Sequence, residues 1–452
     1  MVPNRRAVVV ENSRHIELEA APAHVFVVGL DDFNLRFIQR VKNAERYRIS
    51  RLLDQAEIAS ARQFDLPALL DKARRQLAQA DGGVDAIVGY WDFPTQLMMP
   101  ILRSELGLRG PSLESVLRCE HKYWSRLLQR EAAPAHVPRF ALVDPFDERA
   151  AERLHLPFPF WIKPVKAHSS KLGFLVGNRR QLDSALDKIR RGIDYFAKPF
   201  DHILEHARLP EEIAGIKGRY CIAEEIISAG RQCTLEGYVI GGQVEIYGIV
   251  GSVRGPNRSS FERYQYPYLP PGDVQGRMKQ VAADVIARTG LDDSPFNVEF
   301  FYGKEDDSLH LLEINTRISK SHSPLFEAVE GSSNHQVMLE VALGEKPDYP
   351  AHQGRHKVAA KFMLRHYGDD DDAIVVDAPD EEQVARAEQR FPGTYIQLHA
   401  RPGMRLGDFH HKDSYSYELA EIFMGAESYD ELMENYRRCI EQLPFVISRE
   451  GD

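Results

Sequence analysis

Apolar residues in the first hundred positions come in short unbroken runs separated by segments with helical spacing. HVFVVGL (24–30), YRISRLLD (47–54) and VDAIVGYWD (84–92) read as strands. DDFNLRFIQRVKNA (31–44), residues 64–80 and FPTQLMMPILRSELGL (93–108) read as helices. Unbroken apolar runs suit strands buried on both faces, and strands alternating with helices predict a parallel sheet. The pattern predicts a doubly wound α/β domain over 1–112. It contains no G-x-G-x-x-G, so a dinucleotide site is not expected there.

From residue 113 the texture changes. SLESVLRCEHKYWSRLLQREAAP predicts one helix stopped by Pro134. RFALVD and PFPFWIKPV read as strands, and residues 180–208 as a mostly helical insertion. RYCIAEEIISAG and QCTLEGYVIGGQVEIYGIVGSV predict an antiparallel set, with Gly241 and Gly242 at a hairpin turn. Residues 253–272, rich in Pro, Arg and Tyr, are expected to form a long loop. GRMKQVAADVIARTG reads as an amphipathic helix closed by a glycine. FNVEFFYG and LHLLEINTR predict two strands, and GSSNHQVMLEVALGE a helix. Residues 351–452 predict a smaller α+β module.

The period-two pattern in LLEINTRISKSH (311–322) carries the chemistry. On a strand over 310–318, Glu313, Asn315 and Arg317 share one face, while Leu312, Ile314, Thr316 and Ile318 share the other. Oxygen ligands followed by a guanidinium suit a hard metal beside a phosphate. Asn297 and Glu299 repeat the acid–amide pattern on the neighbouring predicted strand. Two divalent ions roughly 3.5–4 Å apart, bridged by carboxylates, recur in phosphoryl transfer. A solvated polar face is the plain alternative. Lys163 ends an apolar strand, where an ammonium is costly without an anion. The following loop, KAHSSKLG, offers hydroxyls, a lysine and backbone N–H groups to phosphates. CIAEEII offers a backbone hinge for an adenine and an acid beside it.

Composition narrows the class. The chain has 452 residues, enough for several domains, and its 43% apolar content is ordinary for a globular protein. A net charge of −10 disfavours nucleic acid as a partner. Four scattered cysteines match neither a disulfide framework nor a zinc spacing and suggest a reducing compartment. No window is apolar enough for a signal peptide or a membrane span, so a cytoplasmic location is expected.

Lys122, Lys163 about forty residues later, EEII, N-x-E and E-x-N-x-R occur in the order seen in ATP-grasp enzymes. The chain resembles that superfamily over nearly its full length. It most looks like the ATP-grasp carboxylate–amine ligases, with a biotin-carboxylase-like layout. The resemblance implies an ATP-grasp fold of mixed α/β and α+β class. Its parts would be a pre-ATP-grasp Rossmann-like domain over 1–112, an ATP-grasp domain over 113–350 with a lid at about 135–225, and a C-terminal module over 351–452. It implies ATP and Mg²⁺, with two ions, as cofactors. Lys122 and Lys163 would contact phosphates, and Ser169, Ser170 and Lys171 would close over the γ-phosphate. Glu224 and Glu225, with the Ile226–Ile227 backbone, would line adenine and ribose. Glu299, Glu313 and Asn315 would hold metal, and Arg317 would steady the transferred phosphate. The substrates would be a small carboxylic acid and an amine, amino-acid-like in kind, and a homodimer is implied.

Two departures from the family pattern stand out. Gln232 occupies a position where many relatives place a ribose-binding Glu. The segment after E-x-N-x-R lacks glycines, so Ser319, Lys320, Ser321 and His322 are expected to shape a specific pocket; a helix-capping loop residue is the alternative for His322. Arg254, Arg258, Arg263 and the tyrosines of YQYPY are candidates for an acceptor site, or simply a solvated loop. Tyr90, Trp91 and Asp92, at the C-terminal end of a parallel strand, are a second candidate. The expected reaction is amide formation through an acyl phosphate. A bicarbonate-activating carboxylase subunit and a non-catalytic nucleotide-binding module are the alternatives.

Overall fold

The computed structural model of the chain describes residues 21–59, 63–167, 171–227, 230–257, 260–368, 370–413 and 416–448. Ser169, Ser170 and Arg258 lie outside them. The first strands are β1 (Ala23–Val28), β2 (Tyr47–Leu52) and β3 (Ala86–Val88), in a parallel sheet of order β2-β1-β3. β1 is buried at every position, as its unbroken apolar run requires. Helices 32–38, 66–78 and 95–106 connect and flank the sheet. The strand expected over 84–92 is shorter, and Tyr90, Trp91 and Asp92 follow β3 as irregular chain.

The single helix expected after residue 112 is two, 113–120 and 122–132. His121 leaves helical geometry between them and caps the second, its Nδ1 accepting from the Trp124 N–H at 3.3 Å. Next come β4 (Phe140–Val143), β5 (Phe160–Pro164), β6 (Phe174–Val176) and β7 (Cys221–Glu225). They form an antiparallel sheet of order β4-β7-β5-β6. Helices 179–192 and 194–205 cover it, with Phe160, Ile162, Ile189 and Ala223 in a core of its own.

The main sheet has eight strands. It draws on β8 (Arg231–Ile240), β9 (Gln243–Arg254), β10 (Phe261–Tyr266), β11 (Ser294–Tyr302), β12 (Leu309–Asn315) and β13 (Val358–Tyr367). After β14 (Ile374–Asp377), β15 (Tyr395–Leu398) and β16 (Ser416–Ala426) complete it, and β17 (Val446–Ser448) pairs with β14. The order is β12-β11-β8-β9-β10-β13-β16-β15. The segment after 351 therefore adds three strands to this sheet. The expected antiparallel set is split, because β7 belongs to the smaller sheet while β8 and β9 form the hairpin turned at Gly241 and Gly242. The loop expected over 253–272 contains β10; its alternating Phe, Arg and Tyr residues pair on both edges, with β9 and β13. β12 ends at Asn315, so Arg317 lies just past the strand rather than on it.

Helix 272–289 packs on one face of this sheet, placing Met278, Val281 and Val285 in a core with Leu235, Phe296 and Phe300. The other face is polar near one end and covered by helix 323–330 at the other, where Phe326 packs with Val250 and Tyr266. No helix among the described residues is long and apolar enough to cross a membrane. Phe326 lies so close to β9 that a Cβ at Gly248 would meet its ring at 2.5 Å. Because Phe326 is fully buried and cannot swing aside, Gly248→Ala should cost about 1–3 kcal/mol, read as a lowered Tm in thermal denaturation.

Candidate active site

β11 and β12 pair with Asn297 opposite Asn315 and Glu299 opposite Glu313. Directly opposed residues share a face, so the acids and amides form one polar patch. A register shift then places Phe300 opposite Leu311 and leaves Leu312 unpaired. Toward β8, the Gln232 amide donates to Glu299 Oε2 at 2.8 Å, and Arg254 Nη2 donates to Gln232 Oε1 at 2.7 Å. Burial, reinforced by the facing Glu313 carboxylate, raises the Glu299 carboxyl to about 8. Asn315 donates to Asn297 Oδ1 at 3.0 Å, and Asn297 donates to the Arg317 carbonyl at 3.1 Å.

The turn after β12 is held by residues from distant segments. Arg317 donates to Asp92 Oδ1 through Nη2 at 2.6 Å and Nε at 3.0 Å. Ser319 accepts from Asn334 through its carbonyl at 3.1 Å, and Ser321 Oγ lies 3.3 Å from Lys361 Nζ. Lys320 rests on the Trp91 ring, 4.2 Å from its centroid. His322 is buried, with Nδ1 2.7 Å from the fully buried Glu236, so it anchors the turn to β8. Tyr90 is also buried and donates to Asp31 at 3.0 Å, behind the polar face.

Two lysines converge on the same face, Lys122 from the start of helix 122–132 and Lys163 from β5 of the smaller sheet. Lys122 Nζ donates to the Ala167 carbonyl at 3.0 Å and lies 3.9 Å from Glu313. Lys163 Nζ is 2.6 Å from Glu224 Oε2, and Arg126 Nε is 2.5 Å from Glu224 Oε1. Burial disfavours the Glu224 charge, but the two flanking cations prevail and hold its carboxyl at about 2. Arg126 also donates to the Leu311 and Leu312 carbonyls, at 2.8 and 2.9 Å, where the ladder is irregular. Glu225 points elsewhere: it binds Arg139, accepting from Nε at 2.6 Å and the backbone N–H at 2.8 Å. Ile226 and Ile227 follow β7, half-buried. Lys171 stands apart, 5.4 Å from the Tyr195 ring centroid. Arg263 faces the reverse side of β10, against Phe362 and Met433.

Glu299, Glu313 and Asn315 fit a magnesium ion: two carboxylates and an amide oxygen are hard donors. The raised Glu299 carboxyl marks a place short of positive charge, which is what a cation supplies.

Residues 271–349, which carry β11, β12 and the turn beyond, match the family described as carbamoyl-phosphate synthase L chain, ATP binding domain. No curated protein matches by sequence. An L-amino acid ligase from Bacillus licheniformis superposes with TM-score 0.70 at 16% identity, covering 95% of this chain and 99% of its own. The chain has the ATP-grasp fold. A carboxyaminoimidazole ribonucleotide synthase from Aspergillus clavatus, complexed with ATP, shares this ATP-grasp architecture at TM-score 0.62 and 17% identity, over 93% of this chain and 98% of that one. Biotin carboxylase from Campylobacter jejuni does so at TM-score 0.61 and 14% identity, over 94% and 92%. An ATP-grasp domain binds ATP, typically with Mg²⁺.

Sequence reasoning did not single out Arg126, Glu236, Lys361 or Glu421. Each is an ordinary charged residue in its local pattern, and its partner is remote in sequence. The Glu299 environment gives a pH signature in metal-free protein. An unfolded glutamate titrates near ~4.3, below the folded value. The stability gained from the neutral form is therefore complete below that unfolded value and lost as pH rises toward about 8. Glu299→Gln should escape this loss. Its Tm advantage over the parent in EDTA should grow from pH 5 to pH 8 and then level off; a constant difference would contradict the assignment.

Proposed function

We propose that the chain is an ATP-dependent carboxylate–amine ligase that forms an amide bond through an acyl phosphate, releasing ADP and phosphate. The observation that carries this reading is the opposed Glu299–Glu313 pair, flanked by Asn315 and Arg317, with the Lys122 ammonium 3.9 Å from Glu313. In this reading Lys122 and Lys163 take phosphate oxygens, and Glu224 positions Lys163 from beneath. The Ile226–Ile227 backbone faces adenine, and Glu225 sits beyond it on Arg139. Gln232 holds Glu299 in place. Mg²⁺ on Glu299, Glu313 and Asn315 supplies charge neutralisation to the phosphates when bound.

The chemistry needs positioning more than a protein nucleophile. A substrate carboxylate oxygen attacks the γ-phosphorus, the bond to the bridging oxygen breaks, and ADP departs with that electron pair. The amine nitrogen then attacks the acyl carbon, the bond to phosphate breaks, and the amine proton leaves with phosphate or solvent. Arg317, oriented by Asp92, lies where charge on the transferred group is to be stabilised. The similarity in fold to an L-amino acid ligase supports amino-acid-like substrates.

The test is ADP release from Mg·ATP with pooled amino acids and small carboxylic acids, with hydroxylamine as a trap. Substrate-dependent ADP with a hydroxamate is expected. Bicarbonate-stimulated ADP without hydroxamate would favour a carboxylase instead. Glu313→Gln should abolish ADP release while leaving the fold intact by circular dichroism; near-parental turnover would remove Glu313 from the metal site. Arg317→Ala should cost more than about 2 kcal/mol in kcat/KM, and a small change confined to KM would make Arg317 a binding residue only.

A further inference from the structure

Beyond Arg317 the polar face continues toward β13 and β16, away from Lys122 and Lys163. The cations there are mostly matched. Lys361 Nζ is 2.5 Å from Glu421, and Arg365 Nη2 is 2.6 Å from Glu418. Lys320 differs. It is half-buried, and among the described residues its ammonium rests on the Trp91 ring with no hydrogen bond or salt bridge of its own. Trp91 is fixed in turn, its Nε1 donating to the Gly29 carbonyl at 2.8 Å. Burial holds the Lys320 ammonium below its usual range, and Lys361 adds to this; Glu421, Asp31 and Asp92 oppose them without direct contact. A partly desolvated ammonium with no anion beside it is unfavourable, and a ligand anion would remove that penalty.

The neighbouring wall is made of His399, His411, Glu418 and Glu421, whose ligating atoms lie within 4.8 Å of one another. That spacing would suit a metal, but both carboxylates already face cations. His411 is exposed, and its imidazole stacks on His399 with ring centroids 3.7 Å apart. The wall is better suited to a polar substrate than to an ion.

In the ligase reading the carboxylate that attacks phosphorus lies beside Arg317, Glu299 and Glu313, so an anion on Lys320 is assigned to the other substrate. Resting on the ligase reading, we infer that Lys320, seated on Trp91, binds the carboxylate of the amine substrate, which makes that substrate an amino acid rather than a simple amine. Its carboxylate sits on Lys320 and its amino group turns back toward the acyl carbon beside Arg317.

The experiment compares an amino acid with its carboxamide as the amine substrate, in the parent, Lys320→Met and Lys320→Arg, using whichever acid yields a hydroxamate. Methionine keeps a long apolar stem on Trp91, and thermal denaturation checks each fold. The parent should prefer the free carboxylate. Lys320→Met should reduce that preference about tenfold or more, mainly through KM, and Lys320→Arg should restore much of it. An unchanged preference would overturn the inference. So would a loss of hydroxamate as large as the loss of ligation, which would place Lys320 in the acid half-reaction. If no acid gives hydroxamate with the parent enzyme, the ligase reading itself falls.

Discussion

Glu224 is a carboxylate in the protein interior whose charge is matched on both oxygens, by Arg126 and by Lys163. The rest of the site depends on that arrangement. Lys163 comes from β5, Glu224 from β7 and Arg126 from helix 122–132, and Arg126 also grips the Leu311 and Leu312 carbonyls of β12. One buried charge thereby ties the smaller sheet to the strand that carries Glu313 and Asn315. Desolvating three charges is unfavourable, and their mutual attraction repays it only because each oxygen meets a cation at hydrogen-bond distance.

The same construction recurs around the polar face. Lys166 and Glu120 pair at 2.5 Å while Glu120 also reaches the Thr316 hydroxyl at 3.3 Å. His322 pairs with Glu236, and Arg317 with Asp92. In each case the partners come from segments far apart in sequence, so every pair sets the position of one segment against another. The exception is the Glu299–Glu313 pair, where two carboxyl groups face each other and Glu299 is held far above the usual carboxylate range. The protein concentrates its electrostatic mismatch there, and a bound cation is what would resolve it.

Much of this was legible in sequence because strand periodicity is local. The acid–amide alternation of β11 and β12 placed four polar side chains on one face before any fold was known, and the structure sets them opposite one another. Pairings such as Arg126–Glu224 and Arg317–Asp92 span 98 and 225 residues, and no local pattern records them. Register was equally hidden. Arg263 and Tyr264 are adjacent in sequence, yet Arg263 points to the reverse face while Tyr264 packs at 5.3 Å from His322. The irregularity at Leu312 and the end of β12 at Asn315 also depend on tertiary partners, which is why the simple alternation fails at Arg317.

The irregular segment after β3 gives the parallel domain a direct role in the site. Consecutive residues, Trp91 and Asp92, hold Lys320 and Arg317 respectively. The two contacts differ in kind. Asp92 supplies a full countercharge and fixes the guanidinium in direction, whereas the Trp91 face supplies a weaker attraction and leaves the ammonium donors free for a ligand. One segment thus presents two cations in different states, one already satisfied and one still seeking an anion. In the proposed ligase, that asymmetry would divide the face between a rigid part beside the transferred phosphate and an adaptable part that selects the amine substrate.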